Sequence, residues 1–168
     1  IDAQKPLVLK DGAHILADTQ VAFVRDGDFY IAAKGGHNKE SHNHNDVGTF
    51  MAFDKNCPVL VDAGIGTYTK QTFSPDRYEI HAMQSAYHNL PLINGVEQIY
   101  GCEYKADKFE VSENCIEIVY PNAYPMEAGI KNLCRKLSIT ESEMTIYDTF
   151  DFSNNQRQSV CEVLMCIL

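Results

Sequence analysis

Short apolar stretches separated by turn residues run along most of the chain. Residues 21–24 and 29–32 are apolar and flank an Asp-Gly pair that ends at Gly27, which predicts a β-hairpin with this pair at its turn. Val, Ile, Tyr, Phe and Thr recur in such stretches, whereas runs of helix-forming residues are scarce. The pattern therefore predicts a mostly β protein.

The same alternation predicts further strands after the hairpin. One of them is a continuous apolar run that ends at Asp62, which indicates a buried strand with a carboxylate at its end. Strands in this rhythm are typical of a stacked sheet or sandwich, and 168 residues suit one domain, which we expect to span residues 1–168. The predicted strands cover residues 47–53, 58–62, 90–96, 108–111, 115–120, 133–139, 144–152 and 160–168.

Two polar segments interrupt this rhythm before residue 98. Residues 37–46 are rich in His and Asn and lead into a predicted strand, so we expect a functional loop or strand edge there. A polar and aromatic loop then follows Asp62 and reaches to about Tyr87. Loops of this length in a compact domain usually carry function, so the chemistry is expected in this part of the chain.

The charge balance limits the classes of partner. The chain has 14 Lys and Arg against 23 Asp and Glu, a net charge of -9, and phosphate binding needs a clustered positive surface, so a nucleic-acid partner is disfavoured. The negative net charge would also repel a polyanionic polysaccharide. The positive charge that binds such a substrate would have to come from another domain or from local groups such as Lys34, Lys39, Lys70 and Arg77.

Three features of the sequence bear on its compartment. The chain has no apolar run of about 18 residues, so no membrane span is expected. It starts at Ile1 without Met and ends inside an apolar run, from which we expect a piece of a longer chain. None of its six cysteines forms a CxxC pair, and we interpret them as small buried apolar residues rather than a disulfide framework.

The candidate chemistry begins with a His-x-His pattern in residues 41–46. Side chains at positions i and i+2 of a strand share a face, so His42 and His44 would project to the same side. One metal ion could engage either, or one imidazole could bind metal while the other does acid/base work. Alone the pattern is weak, because most such histidines are exposed or hydrogen-bonded.

Two more polar residues strengthen this hypothesis. Asp62 ends an apolar strand, where a carboxylate is costly unless it is paired, hydrogen-bonded or bound to a cation, although it could equally form a turn next to Gly64. His88 lies just before another apolar strand. Two imidazoles and one carboxylate are a common ligand set for zinc, whereas calcium prefers more oxygen ligands.

Three segments, in this order, resemble the heparinase II/III-like polysaccharide lyases: SHNHNDVGTF, PVLVDAGIGTYT and MQSAYHNLPLINGVEQ. They are similar to the family's His-x-His-x-Asp segment, its strand ending in Asp-x-Gly, and its His-Asn segment before a Gly-containing turn. The resemblance spans residues 35–98, roughly a third of the chain. The remainder is similar to the family only in the rhythm of its strands.

The resemblance implies a role for several residues. His44, Asp62 and His88 would hold a metal ion, usually zinc, and His42 would be the catalytic residue that reaches the active-site cleft. Asp46 completes the motif and would orient an imidazole from behind.

Other candidates lie in the long loop after Asp62. Tyr68, Arg77 and Tyr78 could touch substrate, with ordinary loop packing as the equal alternative. His37 and His81 match no position of the family and are left out of the site.

The family also implies a fold and a reaction. The fold would be an antiparallel β-sandwich of the heparinase II/III C-terminal type, truncated from a longer chain whose N-terminal helical α/α toroid is absent. The reaction would be β-elimination on a uronic-acid-containing polysaccharide, of the heparin, heparan sulfate or alginate kind, with His42 as base or acid. The toroid would supply the tyrosine and the group that neutralises the uronate, so we expect the fragment alone to be inactive.

The resemblance also bears on location, and two other functions remain as alternatives. The resemblance implies a bacterial protein that is periplasmic or secreted. A noncatalytic carbohydrate-binding or scaffold β-sandwich with a structural metal is the main alternative. A zinc hydrolase on a small β-barrel is a third, disfavoured because no separate Glu or Asp base is placed by a motif.

Overall fold

The chain forms an antiparallel β-sandwich with two small additional sheets. The computed structural model describes residues 10–55, 57–153 and 158–166. The strands are β1 (Gly12–Leu16), β2 (Val21–Asp26), β3 (Phe29–Lys34), β4 (His37–Asn38), β5 (Phe50–Asp54), β6 (Cys57–Leu60), β7 (Pro91–Ile93), β8 (Gly101–Lys105), β9 (Lys108–Ser112), β10 (Cys115–Val119), β11 (Ile130–Ile139), β12 (Met144–Phe152) and β13 (Val160–Glu162).

The strands assemble into sheets mainly through neighbours along the chain. One sheet has the order β1-β2-β3-β5-β6, and the other has the order β12-β11-β10-β9. Strands β13 and β7 pair in a third sheet, and β4 and β8 in a fourth. Every pairing is antiparallel, so the predicted mostly β, antiparallel fold is confirmed.

The predicted hairpin is the pair β2 and β3. Asp26 faces Phe29 in the register, so Gly27 and the residue after it form a two-residue turn. Gly27 has a φ of 56°, which glycine adopts without a steric penalty. The turn places the apolar residues of both strands on the same face.

The core lies between the two large sheets. Alternate residues of each strand point inward, as the pleat of a strand requires, and they form one continuous hydrophobic cluster. Burial of each large aliphatic side chain contributes about 1.5–3 kcal/mol. The inward residues are Ala22 and Val24 of β2, Ile31 and Ala33 of β3, Phe50 and Ala52 of β5, Ile116 and Ile118 of β10, and Leu133, Leu137 and Ile139 of β11.

The strand predicted to be buried at residues 58–62 is shorter and more exposed. Strand β6 ends at Leu60, and its first three residues are exposed. It lies at the edge of its sheet, where the segment around Cys166 adds one bridge within the described residues. An apolar run predicts a strand but carries no information on whether that strand is central or at an edge.

Turns shorten two other predicted strands. Strand β5 begins at Phe50 because Gly48, with a φ of 91°, lies in a turn before it. Strand β7 ends at Ile93, where Asn94 and Gly95 both take positive φ values. Strands β1, β4 and β8 were not predicted. The strand predicted at residues 160–168 is observed only as β13, Val160–Glu162, and its residues 167–168 lie outside the described residues.

The long loop after Asp62 is present and contains several short 3-10 helices. In the described ranges every helix has three to five residues, and none is long and apolar enough to cross a membrane. The helices span Ala17–Thr19, Gln71–Phe73, Pro75–Glu79, His81–Met83, Ser85–Tyr87, Pro121–Ala123 and Met126–Ala128.

The interpretation of the cysteines as buried residues is wrong. All six are free thiols, and none of them is buried. Cys134 lies between two inward-facing residues of β11 and therefore points outward. Cys57, Cys102, Cys161 and Cys166 are exposed, while Cys115 and Cys134 are half-buried.

Candidate functional site

His44, Asp62 and His88 come together from three distant segments. One possible ligand atom from each lies within 4.8 Å of the others. His44 lies in the loop before β5, Asp62 follows β6, and His88 ends the last 3-10 helix before β7. Both imidazoles are buried, and their ring centroids are 5.2 Å apart. The cluster has the donor types that zinc binds most often.

Asp62 and His88 form a close pair. Oδ2 of Asp62 lies 2.7 Å from Nδ1 of His88, and the backbone N–H of Gly64 donates to Oδ1 of Asp62 at 2.9 Å. Burial alone would raise the pKa of Asp62, but the hydrogen bond and charge of His88 and the Gly64 N–H together lower that pKa below its ordinary value. Asp62 is therefore a carboxylate at neutral pH.

The other nitrogen of His88 has no partner. Its Nε2 is buried and makes no hydrogen bond within the described part of the chain. An unsatisfied buried polar atom costs about 1–3 kcal/mol, and a cation bound at Nε2 would remove that cost. The donor set fits a metal ion either through Nδ1 beside Asp62 or through Nε2 with Asp62 orienting the ring from behind.

His44 is also in a form suited to coordination. Burial lowers the pKa of His44, and the charges of His88 and Lys34 act in the same direction. Asp46 and Asp62 oppose this shift without reversing it. The neutral imidazole is the form that binds metal.

The His-x-His segment is a loop, so the expectation that both imidazoles share one face of a strand is wrong. Residues 41–49 form turns and bends, and His42 has a φ of 60°. His44 is buried, whereas His42 is exposed. Both nevertheless line one cavity of about 350 Å³ that Asp62 also borders. The loop brings the two histidines to one cavity by a backbone turn instead of strand alternation.

A buried amide holds this loop in place. The side chain of Gln98 accepts from the N–H of Val47 at 3.1 Å and donates to its carbonyl at 2.7 Å. Asn38 donates to the same Gln98 oxygen at 3.1 Å, and the N–H of Asn45 donates to the carbonyl of Met83 at 3.0 Å. Sequence reasoning did not identify Gln98, although it is the last residue of the third segment that resembles the lyase family.

A second amide fastens the segment that carries His88. The Nδ2 of Asn89 donates to the carbonyl of Phe50 at 2.6 Å and to that of Val61 at 2.9 Å, and its Oδ1 accepts from the N–H of Met165 at 2.6 Å. Because Val61 precedes Asp62, Asn89 links two of the candidate ligands. The sequence signal for this role was an Asn directly after a candidate ligand, and the structure shows that this Asn is fully buried.

Asp46 does not hydrogen-bond to an imidazole among the described contacts. Its carboxylate bonds to the ammonium group of Lys34, and its backbone N–H donates to Asn38 at 3.2 Å. Its influence on His44 is electrostatic, since its charge raises the pKa of that imidazole. An orienting role behind a ligand stays a prediction.

A second, open groove of about 560 Å³ lies beside the cavity and shares His42 with it. Arg77 and Tyr78 line this groove, but Arg77 also donates to the carbonyl of Asn43 at 2.9 Å and so supports the loop. The hydroxyl of Tyr78 is buried without a partner in the described residues, and its ring lies 5.0 Å from that of Tyr100.

Tyr68 lies outside the lining of this groove. It is 50% exposed and stacks on Phe73, a groove residue, with ring centroids 5.8 Å apart. Sequence reasoning missed Phe73 and Tyr100, because an exposed aromatic residue in a loop carries no distinguishing pattern.

Fold and site together define an antiparallel β-sandwich with a His–Asp–His cluster at one edge. No protein-family model and no curated protein matches the chain. Among solved structures it is similar to heparinase III, the BT4657 gene product with methylated lysines. That match has a TM-score of 0.64 and 14% identity, and it covers 90% of this chain and 23% of the other.

The chain is also similar to the heparan sulfate lyase HepC from Pedobacter heparinus. A mutant of that protein gives a TM-score of 0.62 at 16% identity over 89% of this chain and 23% of that one. A further HepC structure gives 0.60 at 17% identity over 83% and 22%. The chain thus has the heparinase-like β fold that its motifs indicated, and it spans less than a quarter of these proteins.

Proposed function

We propose that the chain is the metal-binding β-sandwich of a polysaccharide lyase that cleaves a uronic-acid-containing polysaccharide by β-elimination. The substrate would be of the heparin, heparan sulfate or alginate kind. The observation that carries the proposal is the convergence of His44, Asp62 and His88 beside a groove that exposes His42. The likeness to proteins titled heparinase III and heparan sulfate lyase supports it.

The proposed ion is zinc, held by His44, Asp62 and His88. Two nitrogen ligands and one carboxylate suit zinc better than calcium, which needs more oxygen atoms. The ion would cross-link three segments that otherwise depend on a few amide hydrogen bonds. Its role in this proposal is structural, and the proton transfers belong to side chains.

His42 is the proposed acid or base. In β-elimination a base takes the proton beside the uronate carboxylate, the bond to the 4-linked sugar oxygen breaks, and a carbon–carbon double bond forms. The departing oxygen receives a proton from an acid. His42 is exposed where cavity and groove meet, so its imidazole can reach a sugar that His44 cannot.

The groove would hold the sugar chain. Tyr78 and Tyr68 are the proposed substrate contacts, and Tyr100 extends the same aromatic surface. Arg77 lies with its guanidinium 5.3 Å from the Tyr78 ring, and it would bring positive charge to a chain whose net charge is -9. A positive group there would offset repulsion of a uronate.

The rest of the catalytic machinery is proposed to lie on an N-terminal helical toroid of the same protein. That domain would supply a tyrosine acid or base and a group that neutralises the uronate carboxylate. The isolated chain would then bind metal and turn over little or no substrate. A bacterial, periplasmic or secreted location is part of this proposal.

Zinc titration of purified chain tests the metal site. Wild-type chain should bind one equivalent of zinc by calorimetry and retain it in elemental analysis, while His44→Ala and His88→Ala should not. His14→Ala is the matched control, because His14 is an exposed histidine of β1 and should leave binding unchanged. Equal binding by all four proteins would contradict the site.

Product analysis tests the reaction. With the helical part present, uronate polysaccharides should yield products that absorb as unsaturated sugars, and His42→Ala should remove this absorbance. Glycan binding without cleavage would favour the noncatalytic carbohydrate-binding alternative. Cleavage to products without a new double bond would favour a zinc hydrolase.

A further inference from the structure

We propose that Arg135 is a positioning residue that fixes the spacing of the two imidazoles in the candidate metal site. This inference rests on the metal site proposed above. Arg135 lies on β11 and touches none of His44, Asp62 and His88 in the described contacts. It would act through the two segments that carry the histidines.

Arg135 occupies a core position. Leu133, Leu137 and Ile139 of the same strand point into the sandwich, and Arg135 shares their face with a relative exposure of 0%. A buried guanidinium costs several kcal/mol unless its charge and its N–H groups all find partners. A side chain of this kind in a hydrophobic core therefore calls for a specific explanation.

One end of the guanidinium joins the site-bearing segments. Nη1 of Arg135 donates to the carbonyl of Gly48 at 3.0 Å and to that of Asn89 at 2.6 Å. Gly48 lies in the loop that carries His44, and Asn89 is the residue after His88. A single nitrogen thus bridges the backbones that carry both imidazole ligands.

The third candidate ligand is coupled to the same point. The side chain of Asn89 donates to the carbonyl of Val61, the residue before Asp62. The carbonyl of Asn89 therefore accepts a hydrogen bond from Arg135, and its side-chain amide holds Val61 and so restricts the position of Asp62.

The other end of the guanidinium is held by acidic residues of β12 and β13. Nε of Arg135 donates to Asp148 of β12 at 2.9 Å, and Nη2 lies 3.3 Å from a carboxylate oxygen of Glu162 of β13. The rings of Phe50 and Tyr120 lie 4.9 and 6.0 Å from its central carbon. A planar fork held on both sides sets a fixed distance, which the single ammonium of a lysine does not reproduce.

A purely structural role explains these contacts less well. Well-packed apolar residues often stabilise a core as much as a buried ion pair does or more. The N–H groups of Nη1 donate to the carbonyls of Gly48 and Asn89, and they hold the two irregular segments that carry the histidines at a fixed separation. Removing them should loosen the site before it unfolds the sandwich.

The test compares Arg135→Met, Arg135→Lys and Leu137→Ala in the 168-residue chain. Leu137 is a matched control, because it is buried on the same strand two residues away and makes no polar contact with the site. Zinc affinity is measured by competition with a chelating dye, and cobalt(II) absorption reports the geometry of the ligands. Arg135→Met should weaken zinc binding by about 10- to 100-fold and change the cobalt spectrum.

Arg135→Lys should lose less zinc affinity than Arg135→Met. If the Met variant does not fold, Arg135→Lys is compared with Leu137→Ala instead. Leu137→Ala should lower thermal stability while it keeps wild-type zinc affinity and the wild-type cobalt spectrum. Equal affinities and spectra for the Arg135 variants and Leu137→Ala would overturn the inference.

Hydrogen exchange in chelator separates this inference from the metal proposal. The amides of residues 43–50 and 86–90 should exchange faster in the Arg135 variants than in Leu137→Ala. If wild-type chain bound no zinc but showed this difference, the metal proposal would fail and the positioning role would stand. If exchange in these segments were equal, the positioning role would fail whatever the wild type binds.

Discussion

The sandwich core and the site region are held together by different interactions. Core residues such as Ile118 and Leu133 are fully buried, and they sit on strands with regular backbone ladders. The site region is irregular, and its backbone groups are bonded by the buried side chains of Gln98, Asn89 and Arg135. The core therefore depends on apolar area, whereas the site depends on a few directional hydrogen bonds.

This difference leads us to expect that stability and metal binding can be altered separately. Apolar packing is non-directional, so the loss of one side chain weakens the whole domain and moves no particular loop. A buried amide fixes specific backbone groups, so its loss should alter one region strongly.

The largest change in stability is expected in the core. Leu133→Ala leaves a cavity between the sheets and should lower the free energy of unfolding by about 2–5 kcal/mol. Zinc affinity of the folded variant should remain that of the wild type. Urea unfolding measures the change in stability, and zinc titration measures the affinity. A large loss of zinc affinity in Leu133→Ala would contradict the separation of core stability from metal binding.

Removal of the metal should have a somewhat smaller effect. At free zinc about 100-fold above its dissociation constant, binding to the folded state alone stabilises the chain by about 2.7 kcal/mol. Excess chelator should therefore lower the melting temperature of the wild type measured by calorimetry. His88→Ala should melt at the same temperature with and without chelator, and a melting temperature of the wild type insensitive to chelator would contradict the account.

Loss of a buried amide side chain near the site should lower the free energy of unfolding less than Leu133→Ala does, but it should lower zinc affinity more. Gln98→Ala leaves the N–H and carbonyl of Val47 unsatisfied, which should cost about 1–3 kcal/mol and weaken zinc binding. Gln20→Ala is the control, since Gln20 accepts from the N–H of Gly36 at 2.8 Å and borders neither His44 nor His88 in the described contacts. Denaturation and zinc titration of both variants check the prediction; equal zinc affinities would argue against a role for Gln98 in the site.

The smallest effect concerns pH. Burial and the charge of Asp148 raise the pKa of Glu162 to about 7, against the opposing charge of Arg135. The folded state then holds a proton that the unfolded state has released between the ordinary carboxyl pKa and about 7, so stability falls as pH rises through this window. Glu162→Gln should remove that part of the slope.

Urea unfolding in chelator at about pH 5 and about pH 8 measures this slope. Glu127→Gln is the control, because Glu127 is an exposed acid outside the Arg135 network. The same dependence on pH in wild type and Glu162→Gln would show that Glu162 does not contribute.

Much of the fold follows from local pattern. Alternation located the hairpin of β2 and β3 and the strands β9 to β12, because each has one face in the core. Edge strands are harder, since β6 is as apolar as a central strand but is exposed. The pattern also contains a further signal, because Arg135 interrupts an inward series of apolar residues on β11.

The sequence predicted which residues come together in the site but not how the loops around them are arranged. Three segments that resemble one family pointed to His44, Asp62 and His88, which the structure places together. The loop conformation around His42 was not predictable, because a positive φ is uncommon for a residue other than glycine and no local pattern indicates it. The supporting amides were missed because their partners lie far away in the sequence, as Val47 does from Gln98.

The most direct measurement is anomalous diffraction at the zinc absorption edge from crystals of the chain grown with zinc. We expect one peak about 2.0–2.2 Å from a nitrogen of His44, an oxygen of Asp62 and a nitrogen of His88. A peak bound elsewhere, or none beside these three residues at saturating zinc, would contradict it.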